Sequence, residues 1–197
     1  MTERQSATPS QPGKTTEDIT AAVLVIGDEI LSGRTKEANA GYIADVLTAA
    51  GIRLKEVRIV ADEQGDIIDA LNALRSRYTY VFTTGGIGPT HDDITAESVA
   101  TAFGRTIDID QRALDLMMPY YKARGVELTP SRLRMARIPE GAQLITNHVT
   151  AAPGFQIDNV FVLAGVPAIM QVMLDQVLPK LKTGRRLLSE TIKVAAP

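Results

Sequence analysis

The run "AAVLVIG", Ala21 to Gly27, constrains the fold more than any other stretch. It carries no charge and no alternation of polar with apolar residues, so it reads as a strand buried on both faces. Strands of that kind belong to parallel sheets covered by helices. The chain that follows fits such a sheet. Helical periodicity runs from about Lys36 to Ala50, with Tyr42, Ile43, Val46, Leu47 and Ala50 on one face and Gly51 placed to end it. "IRLKEVRIVA" reads as a second strand. A second helix is predicted over Gln64 to Ser76 on the stripe Ile67, Ile68, Leu71 and Leu74. "TYVFTT" reads as a third strand and Ala96 to Phe103 as a third helix, ended by Gly104. This βαβαβα order implies right-handed crossovers in one parallel sheet.

Beyond that point the pattern is looser. Gln111 to Arg124 is predicted helical, with Leu114, Met117, Met118 and Tyr121 facing the core. "GFQIDNVFVLAG" reads as a hairpin turning at Asp158-Asn159, and Pro167 opens a last helix whose apolar face is Ile169, Val172, Met173, Val177 and Leu181. Residues 1–18, rich in Thr, Ser, Gln and Pro, read as a disordered tail. Residues 19–183 read as one domain, and residues 184–197 as an extension in which a second domain begins and is cut short.

Composition narrows the function classes. With 45% hydrophobic residues the 197-residue chain can bury a sizeable core. Its net charge of −2 is spread without a basic block, which argues against nucleic acid or a membrane surface as partner. There is no cysteine, so disulfides and thiolate metal sites are excluded. A reducing cytoplasm is the expected compartment.

Ligands of open α/β sheets bind beyond the carboxyl ends of the strands. Four loops lie at such ends: "GDEILSGR", "DEQGD", "GGIGPTHDD" and "AGVPAIM". In the third, Gly85, Gly86 and Gly88 allow positive φ and close backbone approach to a ligand, and consecutive amides ahead of a helix favour an anion. Neither the dinucleotide fingerprint nor Walker A fits, since His91 stands where the third glycine belongs and no Gly-Lys-Ser/Thr occurs. The plainer alternative is a tight turn with Asp93 or Thr95 as helix cap. Asp92 and Asp93 would repel a phosphate unless a divalent cation, Mg²⁺ by the oxygen donors present, lay between them. Asp62, Asp28 and Glu29 end neighbouring strands and can share that space. Arg132, Arg134 and Arg137 read as a solvated face, with phosphate capture as the sharper alternative.

"TTGGIGPTHDDITAESVA" resembles the signature of the molybdopterin-binding domain shared by MogA, MoaB, MoeA, gephyrin and CinA. Its "THDD" form, with "GDEILSGRTKEAN", "VADE" and "NHVTAAPGF", is most similar to the CinA subgroup. The resemblance covers about Ile19 to Leu181. It implies a three-layer α/β sandwich with a mostly parallel central sheet, a homo-oligomer (dimer or trimer), and a small-molecule ligand, either molybdopterin or a nucleotide. Asp62 and Asp93 fall on the two aspartates that assist Mg²⁺-dependent adenylyl transfer in MogA-type enzymes. The implied metal set is Asp62, Asp92 and Asp93. The implied ligand set is Gly27, Asp28, Glu29, Thr84, Gly85, Gly86, Gly88, Pro89, Thr90, Asn147, Gly154, Gly165 and Pro167. CinA-type domains are associated instead with cleaving the pyrophosphate of ADP-ribose. The chain departs from the subgroup at Ala164 and His148, which replace prolines, and at Thr150, which replaces a glycine. Three functions therefore stand: a metal-dependent nucleotide pyrophosphatase, a molybdopterin-binding or adenylylating protein, and a non-catalytic interaction domain.

Overall fold

The structure, a computed structural model, describes residues 18–184. All but the last residue of the expected tail and all but the first of the expected extension lie outside the described residues. The strands are β1 (Thr20–Ile26), β2 (Arg53–Val60), β3 (Tyr80–Thr84), β4 (Ile107–Ile109), β5 (Arg137–Pro139), β6 (Gln143–Ile145), β7 (Gly154–Ile157) and β8 (Val160–Leu163). The helices are α1 (Asp28–Leu31), α2 (Asn39–Ala49), α3 (Gln64–Arg75), α4 (Thr95–Ala102), α5 (Gln111–Ala123), α6 (Pro130–Leu133) and α7 (Pro167–Val177).

Six strands form one sheet in the order β2-β1-β3-β8-β7-β6. The first four run parallel, and β7 and β6 are antiparallel to their neighbours. β1 lies between β2 and β3 and is buried from Ala21 onward, as its uninterrupted apolar run requires. β2 is an edge strand, and its residues alternate between exposed and half-buried. The hairpin turns at Asp158, which takes a left-handed φ of 48°.

Alternate residues of the sheet feed two cores. Ala22, Leu24 and Ile26 pack with Ile67, Leu71, Leu74 and Val99 of α3 and α4. Val23, Val25, Phe82 and Phe161 pack with Ile43 and Leu47 of α2 and with Met170, Met173 and Leu174 of α7. Phe82 and Phe161 stack across adjacent strands, with ring centroids 5.1 Å apart. Each fully buried side chain of that size stabilises the fold by about 1.5–3 kcal/mol before chain entropy is counted. Helices on both faces of a mostly parallel sheet make the three-layer α/β sandwich.

Some boundaries and faces differ from the sequence reading. α2 begins at Asn39 rather than Lys36, because the Glu37 carboxylate accepts hydrogen bonds from the amides of Asn39 and Ala40 at 2.7 and 2.9 Å and caps the helix there. Met118 is 52% exposed and falls outside the core face of α5, which is fully buried at Ala113 and Met117 and extended by the half-buried Leu114 and Tyr121. On α7 the fully buried face is Met170, Met173, Leu174 and Val177, while Ile169 and Val172 are half-buried. β4 and β5, a separate two-stranded ribbon, and β6 were not anticipated; each has only three residues and leaves no periodic signature.

Candidate functional site

β1, β2, β3 and β8 all end on one side of the sheet, and the loops that follow enclose two adjoining cavities. The larger, about 580 Å³, is mostly apolar and is lined by Ile87, Tyr121, Met135, Ala152, Val166 and Met173 among others. The smaller, about 240 Å³, is polar and holds Asp28, Glu29, Asp62, Asp92 and Asp93 together with Arg34. Glu29, Gly86 and Asp93 border both.

The glycine loop sits where the two meet. Gly85 has φ +102° and Gly86 φ +66°, a region that costs L side chains energy. The space that their missing side chains leave is filled by protein. A Cβ on Gly85 would lie 2.1 Å from the Ile26 carbonyl oxygen, and one on Gly86 would lie 2.1 Å from Thr95 Oγ1. Thr95, fully buried at the start of α4, holds the loop twice: its hydroxyl donates to the Gly85 carbonyl at 3.0 Å, and its amide donates to the Gly86 carbonyl at 2.9 Å. The glycines thus serve first to let the loop close on its own strand and helix. Among the described residues the amides of Gly86, Ile87 and Gly88 donate to no protein acceptor. They remain available to an anion, as consecutive amides in such a turn often are.

The acids are tied into the scaffold. Asp62 accepts from the Asp28 amide at 2.9 Å, and Asp28 accepts in return from the Asp62 amide at 3.4 Å, so the ends of β1 and β2 are clasped together. Asp93 accepts from both the amide and the hydroxyl of Thr90, at 2.8 and 2.6 Å, which closes the turn after Pro89. Partial burial pushes the Asp62 carboxyl above the ordinary aspartate range; the charges of Asp28, Glu29 and Asp93 push the same way, against the hydrogen bond from the Asp28 amide. Asp92 is exposed and pairs with the exposed His91 at 2.8 Å. Among the described residues no three His, Cys, Asp or Glu side chains stand close enough to hold an ion unaided. An all-oxygen set of one or two carboxylates is nevertheless what Mg²⁺ takes when substrate phosphates and water complete its shell.

The structure brings Gly27, Asp28, Glu29, Asp62, Gly86, Gly88, Pro89, Thr90, Asp92, Asp93, Gly165 and Pro167 to these two cavities. Thr84 lines a small pocket beside them, and Gly85 lies behind Gly165, whose Cβ position is 3.1 Å from the Gly85 Cα. Two of the expected ligand residues are not brought to the cleft. The buried Asn147 side chain holds its own loop, donating to the Ala152 carbonyl and accepting from the amides of Val149 and Thr150. Gly154 lies within β7, where a Cβ would come 2.3 Å from the Val162 carbonyl oxygen. Both therefore act on the fold. The three arginines separate: Arg132 lines the large cavity, whereas Arg134 and Arg137 are half-buried and pair with Glu97. That corrects their reading as one solvated face. Tyr121, read as core, also lines the large cavity. Arg34 and Thr35, in the bend after α1, and Met135, in a single 3-10 turn, also line the cavities and carry no periodicity to mark them in the sequence.

Residues 22–183 match the family described as a probable molybdopterin binding domain. The chain belongs to that family. Within the molybdopterin-binding domain family it is related to CinA. It is 42% identical over 169 residues to a CinA-like protein of Citrifermentans bemidjiense, a match covering 83% of this chain and 41% of that one. A solved structure of CinA from Thermoplasma acidophilum, a protein of unknown function, is 35% identical with a TM-score of 0.76, covering 83% of this chain and 99% of that one. MoaB of Thermus thermophilus, a molybdopterin biosynthesis enzyme, shares the fold at 19% identity and a TM-score of 0.54, over 83% of this chain and 91% of that one. The chain spans 70% of the length of a curated relative from Caldivirga maquilingensis and 41% of that from Citrifermentans bemidjiense. No helix among the described residues is long and apolar enough to cross a membrane.

Proposed function

We propose that the cleft binds a phosphorylated nitrogen heterocycle and promotes attack of water on its phosphoanhydride, as in hydrolysis of ADP-ribose to AMP and ribose 5-phosphate. The division of the cleft carries this reading. An apolar cavity with room for a fused ring adjoins an acidic one, and the two meet at the glycine loop. A ligand with a ring at one end and a pyrophosphate at the other spans both. The amides of Gly86, Ile87 and Gly88 donate to phosphate oxygens, and Arg34 adds a guanidinium on the acidic side. Asp62 and Asp93, with Asp92 at the rim, are the groups that would hold Mg²⁺, which when bound neutralises charge on the phosphoanhydride oxygens. The same two carboxylates accept hydrogen bonds from the attacking water and orient it. The water oxygen bonds to one phosphorus as the bridging P–O bond breaks, the released phosphate carries the electron pair, and the water's proton passes to one of these carboxylates and on to solvent.

Binding of molybdopterin, with or without adenylyl transfer, is the second reading. Family membership and the apolar wall of Tyr121, Met135 and Met173 favour it, and it needs the same glycine loop. Thermal shift with ADP-ribose and with a pterin phosphate, each with and without Mg²⁺, tests both. The first reading expects the larger rise with ADP-ribose plus Mg²⁺. A response to the pterin phosphate alone would transfer the conclusion to the second, and a response to neither would refute both.

A further inference from the structure

A third pocket, of about 70 Å³, lies where α2 and α7 begin, against the end of β3. It adjoins the large apolar cavity, with which it shares Glu29, Thr35, Gly165 and Pro167. Two of the side chains lining it carry buried polar atoms without a partner in the protein: Asn39 Oδ1 and Thr84 Oγ1. Asn39 is 7% exposed and Thr84 1%. The orientation of the Asn39 amide is fixed, because its Nδ2 donates to the Gly165 carbonyl at 2.7 Å and leaves Oδ1 as the free acceptor. The nearby helix amides offer no relief, since those of Asn39 and Ala40 are taken by Glu37. Buried polar atoms are almost always hydrogen-bonded, so two orphans on side chains that line one pocket call for a partner that the chain does not supply.

We propose that this pocket reads the hydrogen-bonding edge of the ligand's fused heterocycle, a purine or a pterin. Asn39 Oδ1 can only accept, so it selects a ring or amino N–H. The Thr84 hydroxyl can donate or accept, so it pairs with the neighbouring ring nitrogen or carbonyl. The pocket is too small for a whole ring, and the remainder of the ring lies in the adjoining apolar cavity. This assignment rests on the reading that the cleft takes a phosphorylated heterocycle. It adds which edge of the ring is recognised and names Asn39 as a specificity residue.

The test is Thr84→Val, which keeps shape and strand propensity and removes only the hydroxyl. Affinities for ADP, a pterin phosphate and inorganic pyrophosphate are measured by calorimetry, and the stability of the free protein by urea denaturation. Whichever heterocycle binds wild type should lose roughly tenfold or more in affinity, the scale of one orphaned hydrogen bond. Pyrophosphate, which has no ring, should bind as before. The free protein should be no less stable, because the hydroxyl has no partner to lose. A loss confined to ADP identifies the purine, and one confined to the pterin phosphate identifies the pterin. Unchanged heterocycle affinity with pyrophosphate still bound would overturn the assignment and leave the phosphate site standing. A less stable free protein with equal losses for all three ligands would make the hydroxyl structural and also overturn it. No binding of any of them by wild type would overturn both this assignment and the reading beneath it.

Discussion

Replacing Gly86 with alanine tests how the glycine loop is built. The residue sits at φ +66°, where an L side chain costs about 1–2 kcal/mol. Its Cβ would stand 2.1 Å from Thr95 Oγ1, so the threonine must rotate. Rotation breaks the bond from Thr95 Oγ1 to the Gly85 carbonyl and leaves a buried hydroxyl unpaired, a further loss of about 1–3 kcal/mol. The whole cost is then about 2–5 kcal/mol, a large share of the roughly 5–15 kcal/mol that holds an ordinary domain. With a urea m-value of about 2 kcal/mol/M, the denaturation midpoint should fall by roughly 1–2.5 M. A second background separates the two terms. In Thr95→Ala the clashing oxygen is gone, the next contacts are Thr95 Cβ at 3.1 Å and its amide at 3.4 Å, and the added cost of Gly86→Ala should shrink to about 1–2 kcal/mol. A cost below about 1 kcal/mol in wild type, or equal costs in both backgrounds, would refute this account of the loop.

Asp62→Asn should raise the melting temperature of the free protein at neutral pH. The folded carboxyl titrates above its unfolded value, so the folded chain binds more protons in that window and stability falls as pH rises through it; the gain should vanish below the window, where wild type is protonated. Tyr78→Phe should act in the opposite sense. The Tyr78 hydroxyl bond, at 2.6 Å, is the main cause of the lowered Glu56 pKa, so its stabilisation is present near pH 7 and lost as pH falls through the folded value; denaturation along a falling pH series should show a deficit that is largest near pH 7 and shrinks through that window. Gly154→Ala should destabilise the fold by about 1–3 kcal/mol, the range for overpacking, because the added methyl meets the Val162 carbonyl at 2.3 Å; an unmoved urea midpoint would contradict it. Light scattering at micromolar concentration should find a homo-oligomer, as the CinA resemblance implies, and a monomer alone would contradict that expectation.

The fold was legible where periodicity is long. β1 declared itself by its unbroken apolar run, and α3 by its stripe, to within a residue at either end. Four loops at the carboxyl ends of strands could be listed from the sequence, and Asp28, Glu29, Asp62, Asp92 and Asp93 from three of them do meet in one cavity. Other features depend on contacts distant in the chain. Nothing local in "TKEAN" says that Asn39 will reach Gly165, a residue 126 positions on. The glycines were read as windows for a ligand, but their open sides face Ile26 and Thr95, which only the folded loop brings near. Asn147 and Gly154 sit in a motif that the CinA resemblance assigns to the ligand and still serve the chain's own packing. A motif marks residues that matter together; it does not sort those that touch ligand from those that hold the loop.

The most direct test of the central claim is Mg²⁺-dependent release of AMP from ADP-ribose by wild type, Asp62→Asn and Asp93→Asn, with circular dichroism matched across the three. Asparagine keeps volume and removes charge, and in Asp62→Asn the side-chain carbonyl oxygen can still accept from the Asp28 amide. The account predicts turnover by wild type and a loss of about 100-fold or more in each variant, the scale on which single electrostatic groups act in catalysis. Full activity in both variants, or no turnover of any pyrophosphate by wild type, would contradict it.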